Sequence, residues 1–174
     1  MKAWDFEEAY RANSRMVYWA AYGIVKSDSD AMDVSQETFL RALRNEKKLA
    51  DMDAQQQKAW LYRVAVNLCM DKKRRDKREF PVDEDAFFES PVTSEDSPQE
   101  LLTLDAEQKA ILKEAIGELP EIYRQTVTLH YFSDLPYEQI AALMGVSEGT
   151  VKSRMSRARA RLYDRLRKDG DIHG

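Results

Sequence analysis

The chain is poor in the residues that build covalent or metal-held frames. It has 1 cysteine, Cys69, among 174 residues, so no internal disulfide can form, and that side chain reads as a small buried hydrophobe rather than a reactive thiol. With 2 histidines, His130 and His173, there is no cluster at zinc-ligand spacing, and no metal or other cofactor is expected. No apolar run approaches the ~20 residues that a membrane span needs. The opening MKAWDFEEAY lacks the basic start and apolar stretch of a secretion signal. These features predict a cytoplasmic protein without membrane insertion. Strand-like alternation is missing, as is a G-x-G-x-x-G fingerprint, which argues against a nucleotide-binding α/β fold. Paired acid/base carboxylates, a nucleophile constellation and a phosphate loop are missing too, so the chain does not read as an enzyme.

One further absence is local. Between residues 79 and 108 there is no Lys or Arg, against ten acidic residues. On either side the sign reverses. Residues 58–78 hold eight basic residues against Asp71 and Asp76, and residues 148–168 hold eight against Glu148 and Asp164. The net charge of -4 therefore conceals two candidate polyanion-binding surfaces on either side of an acidic connector.

What remains is helix-periodic. Phe6, Tyr10, Val17, Ala20, Ala21 and Ile24 form an apolar stripe on a first helix. The SDSD at 27–30 offers N-caps for a second helix reaching about Arg44. A third runs over roughly 57–75, with Leu61, Val64, Ala65 and Leu68 inward. Residues 79–100, EFPVDEDAFFESPVTSEDSPQE, carry three of the 5 prolines and no helical period, the composition of a flexible linker. Four more helices are expected at about 101–116, 120–132, 137–144 and 148–167, with Pro120 in the first turn of its helix. The expected fold is all-α: two small helical domains, 1–78 and 101–168, joined by the acidic linker 79–100.

The last two helices read as a helix-turn-helix. Gly145 closes the shorter one in the left-handed region, Val146 fills the corner and Ser147 caps the longer one. On the longer helix Val151, Met155, Ala158, Leu162 and Leu166 share one face. Opposite lie Ser153, Ser156, Arg157 and Ala160, with Lys152 and Arg159 on one flank and Arg154 and Arg161 on the other. Slim side chains between cations let a helix approach base edges while its flanks reach phosphates. Arg157 is the candidate for a bidentate contact to guanine, and Lys152, Ser153, Arg154, Ser156, Arg157 and Arg159 form the candidate DNA face.

The segment KAWLYRVAVNLCMDKKRRDKR at 58–78 begins amphipathic and ends cationic, with Trp60, Asn67, Asp71, Arg74 and Arg78 near one stripe. An aromatic and an amide leading into a basic cluster suit a surface that stacks on bases and holds backbone. For Trp60, a place in the core is the alternative reading.

The order of motifs resembles that of the extracytoplasmic-function sigma factors of the sigma-70 family. The resemblance is carried by DAMDVSQETFLRALR (30–44), WLYRVAVNLCMDKKRR (60–75), ELPEIYRQ (118–125) and LPYEQIAALMGVSEGTVKSRMSRARARL (135–162). It implies a factor that binds bacterial core RNA polymerase, directs it to promoters and is commonly held by an anti-sigma factor. By position, Trp60, Asn67, Asp71, Arg74 and Arg75 would serve the -10 element, and Asn67 would lie, as a buried amide, beside the pocket of an extruded base. The C-terminal face would read the -35 element. Asp33, Gln36, Glu37, Leu40 and Arg41 would meet the polymerase, and their spacing puts them on one helical face; a merely solvated face is the alternative. The linker would thread the RNA-exit path, or act as a self-repelling tether. Two departures stand out: three glutamines replace the Phe and Gly frequent in the loop at 48–59, and Pro136 stands where many relatives place a capping serine. Without the resemblance, a helix-turn-helix regulator with an N-terminal sensor or dimerisation domain is the rival.

Overall fold

The computed structural model describes residues 3–77 and 105–169. The linker expected at 79–100, and Arg78 beside it, lie outside the described residues. All regular structure among the described residues is helical, and it divides into two compact units, with the division between Asp83 and Glu84.

The N-terminal unit is built from α1 (Phe6–Val25), α2 (Asp28–Arg44), the short α3 (Glu46–Ala50) and α4 (Ala54–Lys77). Asp5 starts α1, its carboxylate accepting the Glu8 N–H at 3.2 Å, which satisfies one of the donors a helix start leaves open. Lys26 ends α1 in the left-handed region at φ 44°, and its N–H bonds the Tyr22 carbonyl. Ser27 immediately caps α2 by accepting from the Asp30 N–H. A hydrogen bond from the Tyr18 hydroxyl to Asp28 ties the two helices at this corner. Burial and that bond to a carboxylate hold the Tyr18 phenol above its ordinary range.

Helix α1 packs against both α2 and α4. Val17, Ala21, Val34, Leu49, Leu61, Ala65 and Cys69 fill the space between them. Burial of each such leucine contributes about 1.5–3 kcal/mol. Val64 and Leu68 are half-buried beside them. Tyr10 departs from the expected apolar stripe: it is 49% exposed. It instead joins an aromatic group at the α1–α2 edge, stacked on Phe6 and edge-on to Phe39.

The C-terminal unit comprises α5 (Ala106–Gly117), α6 (Glu121–Val127), a π-helical turn (Thr128–Phe132), α7 (Tyr137–Met144) and α8 (Glu148–Asp169). A reciprocal capping box opens α5: Asp105 accepts from the Gln108 N–H and Gln108 from the Asp105 N–H. Pro120 occupies the N-cap of α6, one position before its expected place in the first turn. The single helix expected over 120–132 is α-helical only to Val127, and the wider π-turn then carries the chain to Ser133. The core is Ile116, Tyr123, Val127, Leu129, Ile140, Val151 and Met155. Arg124 is buried among them and donates from Nη1 to the Leu119 carbonyl at 2.7 Å.

Candidate nucleic-acid interface

Helix α7 ends at Gly145, whose φ of 70° is the left-handed value that a Cβ disfavours. The N–H groups of Gly145 and Val146 both return to the Ala141 carbonyl, closing the turn. Ser147 then accepts the Thr150 N–H on its hydroxyl at 3.1 Å and starts α8. Val151, Met155, Ala158 and Leu162 of α8 face the core, and Leu166 is half-buried. Helix, turn and helix thus form as their spacing predicted.

The basic residues of α8 differ sharply in what already holds them. Arg161 lies over the Tyr123 ring at 5.3 Å. Arg165 grips Glu118 with Nε at 2.5 Å. Arg159, expected on the DNA-facing flank, donates from Nε to the Tyr131 hydroxyl at 2.7 Å and from Nη2 to that of Tyr137 at 2.8 Å. Lys152 is exposed and stands 3.8 Å from Glu148 in an ion pair one turn away. For Arg154 and Arg157 no ion pair or hydrogen bond forms among the described residues, and Arg157 Nε is buried without a partner. Beside them Ser153 and Ser156 are half-buried and Ala160 exposed. A face with two uncommitted guanidiniums and small neighbours is chemically suited to an anionic, planar-edged ligand.

On α4 the N-terminal candidates are arranged differently. Trp60 is half-buried, whereas Asn67, Asp71, Arg74 and Arg75 are exposed. Asn67 is therefore open to solvent and not the buried amide expected, because the inward stripe passes through Leu61, Ala65 and Cys69 instead. Arg74 is paired with Asp71 at 2.5 Å, both well exposed, a contact that surface screening makes weak. Cys69 meets the expectation of a buried thiol, and burial pushes its pKa up to about 12.

The glutamines at 55–57 have local work that spacing did not reveal. Gln56 and Asp53 form a second reciprocal cap, at 2.8 and 3.0 Å. Gln57 Nε2 donates to the Leu49 and Met52 carbonyls, and its Oε1 accepts the Trp4 indole N–H at 3.3 Å. One side chain thus binds the N-terminal segment, the α3–α4 connection and α4 together. Gln55 is exposed.

Asp33, Gln36, Leu40 and Arg41 are exposed on α2, and Glu37 is half-buried, accepting Arg41 at 3.2 Å with Arg44 at 3.6 Å. Beside them an open groove of about 550 Å³ runs between α1 and α2. Sequence reasoning missed its apolar edge: Tyr10, Met32 and Leu43 are exposed alongside Leu40. Met32 and Leu43 fall outside the inward stripe of α2, and that mismatch was the available signal.

The same two regions are found by comparison with known proteins. A family model described as Sigma-70 region 2 matches residues 9–79, and one described as Sigma-70, region 4 matches 109–162. The ECF RNA polymerase sigma factor SigM of Bacillus subtilis is 32% identical over 159 residues, which cover 90% of this chain and 91% of SigM. The chain belongs to the extracytoplasmic-function sigma factors of the sigma-70 family. Another such sigma factor, SigE of Mycolicibacterium smegmatis, is 36% identical over 172 residues, 97% of this chain and 63% of that protein. This sigma factor thus spans under two thirds of that relative's length. Among solved structures, the sigma factor RpoE of Bartonella quintana, in complex with the anti-sigma factor NepR, matches with TM-score 0.65 and 27% identity. The match covers 94% of this chain and 97% of that one. CnrH, in complex with the cytosolic domain of CnrY, shares the fold at TM-score 0.60 and 24% identity, covering 94% and 88%. Because family models occupy the N-terminal unit as well as the helix-turn-helix, a sigma factor of transcription initiation is favoured over a regulator with a sensor domain. No helix among the described residues is long and apolar enough to cross a membrane.

Proposed function

We propose that the chain brings bacterial core RNA polymerase to its promoters by holding DNA at two points. Arg157, with Ser153, Arg154 and Ser156, reads the -35 element as duplex, Lys152 holds its backbone, and Arg159 lies on the flank of the same helix. Trp60, Asn67, Asp71, Arg74 and Arg75 engage the -10 element and assist its opening. The α2 face of Asp33, Gln36, Glu37, Leu40 and Arg41 binds the polymerase, with Tyr10, Met32 and Leu43 adding apolar contact. Nucleotide addition belongs to the polymerase, and the sigma factor itself catalyses nothing. It works in the cytoplasm, and an anti-sigma factor holds it inactive, a reading supported by the company in which RpoE was solved.

The observation that carries the duplex reading is the guanidinium of Arg157, whose buried Nε has no partner. No ion pair or hydrogen bond among the described residues commits this guanidinium, and a guanine edge presents the paired acceptors that suit its fork. Run-off transcription with core polymerase on a promoter library tests the whole proposal. Transcripts from a defined subset of promoters are expected. Absence of both promoter-specific transcripts and core binding would overturn it.

A further inference from the structure

We infer that Arg159 is a positioning residue that locks the helix-turn-helix into its reading geometry, and that it makes no phosphate contact. The inference rests on the duplex reading of α8 proposed above.

The clamp joins three pieces of chain. Arg159 lies in the middle of α8, Tyr131 in the π-helical turn and Tyr137 at the first position of α7. Two donors of one planar guanidinium are spent, Nε on the Tyr131 hydroxyl at 2.7 Å and Nη2 on that of Tyr137 at 2.8 Å. The His130 ring closes the arrangement, 5.1 Å from the Tyr131 ring centre and 4.6 Å from that of Tyr137. Its Nδ1 is 2.9 Å from the Leu135 carbonyl, in the connection between turn and α7.

Three arguments favour a clamp. The guanidinium is half-buried, and hydrogen bonds made away from water hold geometry more firmly than exposed ones. A rigid fork fixes directions that a single ammonium would not, so two hydroxyls on separate elements are set relative to one helix. Lastly, residues 157 and 159 point roughly 200° apart around a helix. Arg159 thus lies off the strip that Arg157 occupies, on the flank it shares with Lys152, and what sets it apart from Lys152 is that its donors are spent on the two tyrosine hydroxyls. Because α7 has only 8 residues and ends in a glycine turn, its angle to α8 depends on such cross-links. A shift of that angle would displace Arg157 from a base edge without removing any charge from the DNA face.

The test uses holoenzyme reconstituted with core polymerase, and a promoter duplex that the wild-type holoenzyme selects from a library. Affinity is measured against salt for that duplex and for one with a scrambled -35 element. Arg159→Ala and the double variant Tyr131→Phe/Tyr137→Phe should each lower the specificity ratio, by about tenfold. The combined triple variant should do no worse than either. In both, the slope of log affinity against log salt stays at the wild-type value. Lys152→Ala, the phosphate control, should keep the ratio while the slope magnitude falls by about one. General destabilisation would lower the active fraction and leave the ratio unmoved. If Arg159→Ala does not fold, the double variant, which removes only two hydroxyls, carries the test.

A loss of about one in slope magnitude for Arg159→Ala, with the double Phe variant unchanged, would make Arg159 a phosphate contact and overturn the inference. So would specificity unchanged in both. Should the wild-type holoenzyme select no promoter, the duplex reading fails. The clamp is then judged in the free full-length chain by hydrogen exchange at residues 140–146. Faster exchange in both variants supports it, and wild-type exchange overturns it.

Discussion

Two arginines of α8 show how much a charge count leaves out. Arg157 and Arg159 look alike in RMSRARAR, yet one has an unpartnered Nε and the other sits between two tyrosine hydroxyls. For Arg157→Ala we expect a loss of about 1–3 kcal/mol in promoter affinity, confined to promoters that carry the base pair it reads. Competition binding across single-base -35 variants checks this, and an equal loss on every variant would remove Arg157 from base reading. The helical period was enough to put Arg157 opposite the core, because that depends only on 100° steps. It could not reveal the engagement of Arg159, since Tyr131 and Tyr137 reach it through a π-turn and a loop that no period describes. His130 belongs to the same place. Burial, opposed in part by its bond to the Leu135 carbonyl and aided by the nearby Arg159 charge, holds it below its ordinary value of 6.5. The native state therefore binds fewer protons than the unfolded chain as pH falls past 6.5. The His130 contribution to stability is complete above that pH and is lost as pH falls through the lowered native value. Denaturant unfolding of the wild type should weaken over that window more than that of His130→Gln, and parallel pH profiles would refute the assignment.

Among the helices, caps were the most legible feature and connections the least. Ser147 could be named as a cap from a serine standing before an apolar period, and the run SDSD at 27–30 as a source of one; Ser147 and Ser27 each accept a backbone N–H three residues on. The reason is that capping is a local bargain between neighbouring residues. Gln57 could not be named, because its three partners lie 5 to 53 residues away and each is a backbone group or an indole with no signature of its own. The short α3 went unseen for a related reason: Leu49 is its single buried residue, too few to show a period. The two kinds of contact can be separated experimentally, because Trp4, Trp19 and Trp60, the 3 tryptophans, all lie in the N-terminal unit. Ser147→Ala should cost about 1 kcal/mol, shifting the circular-dichroism transition and leaving that of tryptophan fluorescence in place. Gln57→Ala should lower the fluorescence transition, and with it the N-terminal share of the circular-dichroism signal. Movement of the fluorescence transition by Ser147→Ala would show that the cap does not act within its own unit.

At the scale of the whole molecule, the overall acidity (pI about 5.4) describes neither basic surface, since the acidic residues concentrate at 79–108 and the basic ones on either side. That segregation was visible in the sequence and pointed to two polyanion-binding surfaces. The groove between α1 and α2, where polymerase binding is proposed, was visible only in part. Asp33, Gln36, Glu37, Leu40 and Arg41 could be grouped by spacing on α2, but Tyr10 comes from α1, and no pattern within one helix shows what a neighbouring helix leaves uncovered. Dividing the tasks between two compact units has a thermodynamic consequence. Asp33→Arg places a cation on the α2 face, where the proposal expects a basic partner, and like charges across an interface cost several kcal/mol. Core binding should fall by about 2 kcal/mol or more, while binding of the free full-length chain to promoter duplex is unchanged. Arg157→Ala should do the reverse, sparing core affinity. Asp33 and Arg157 lie in different units, so in run-off transcription at limiting core and promoter the free-energy losses of the double variant should add to within about 0.5 kcal/mol. A double variant clearly less impaired than that sum would mean that polymerase binding and -35 reading draw on a shared conformational step, and the two-point grip would have to be redrawn as one coupled interface.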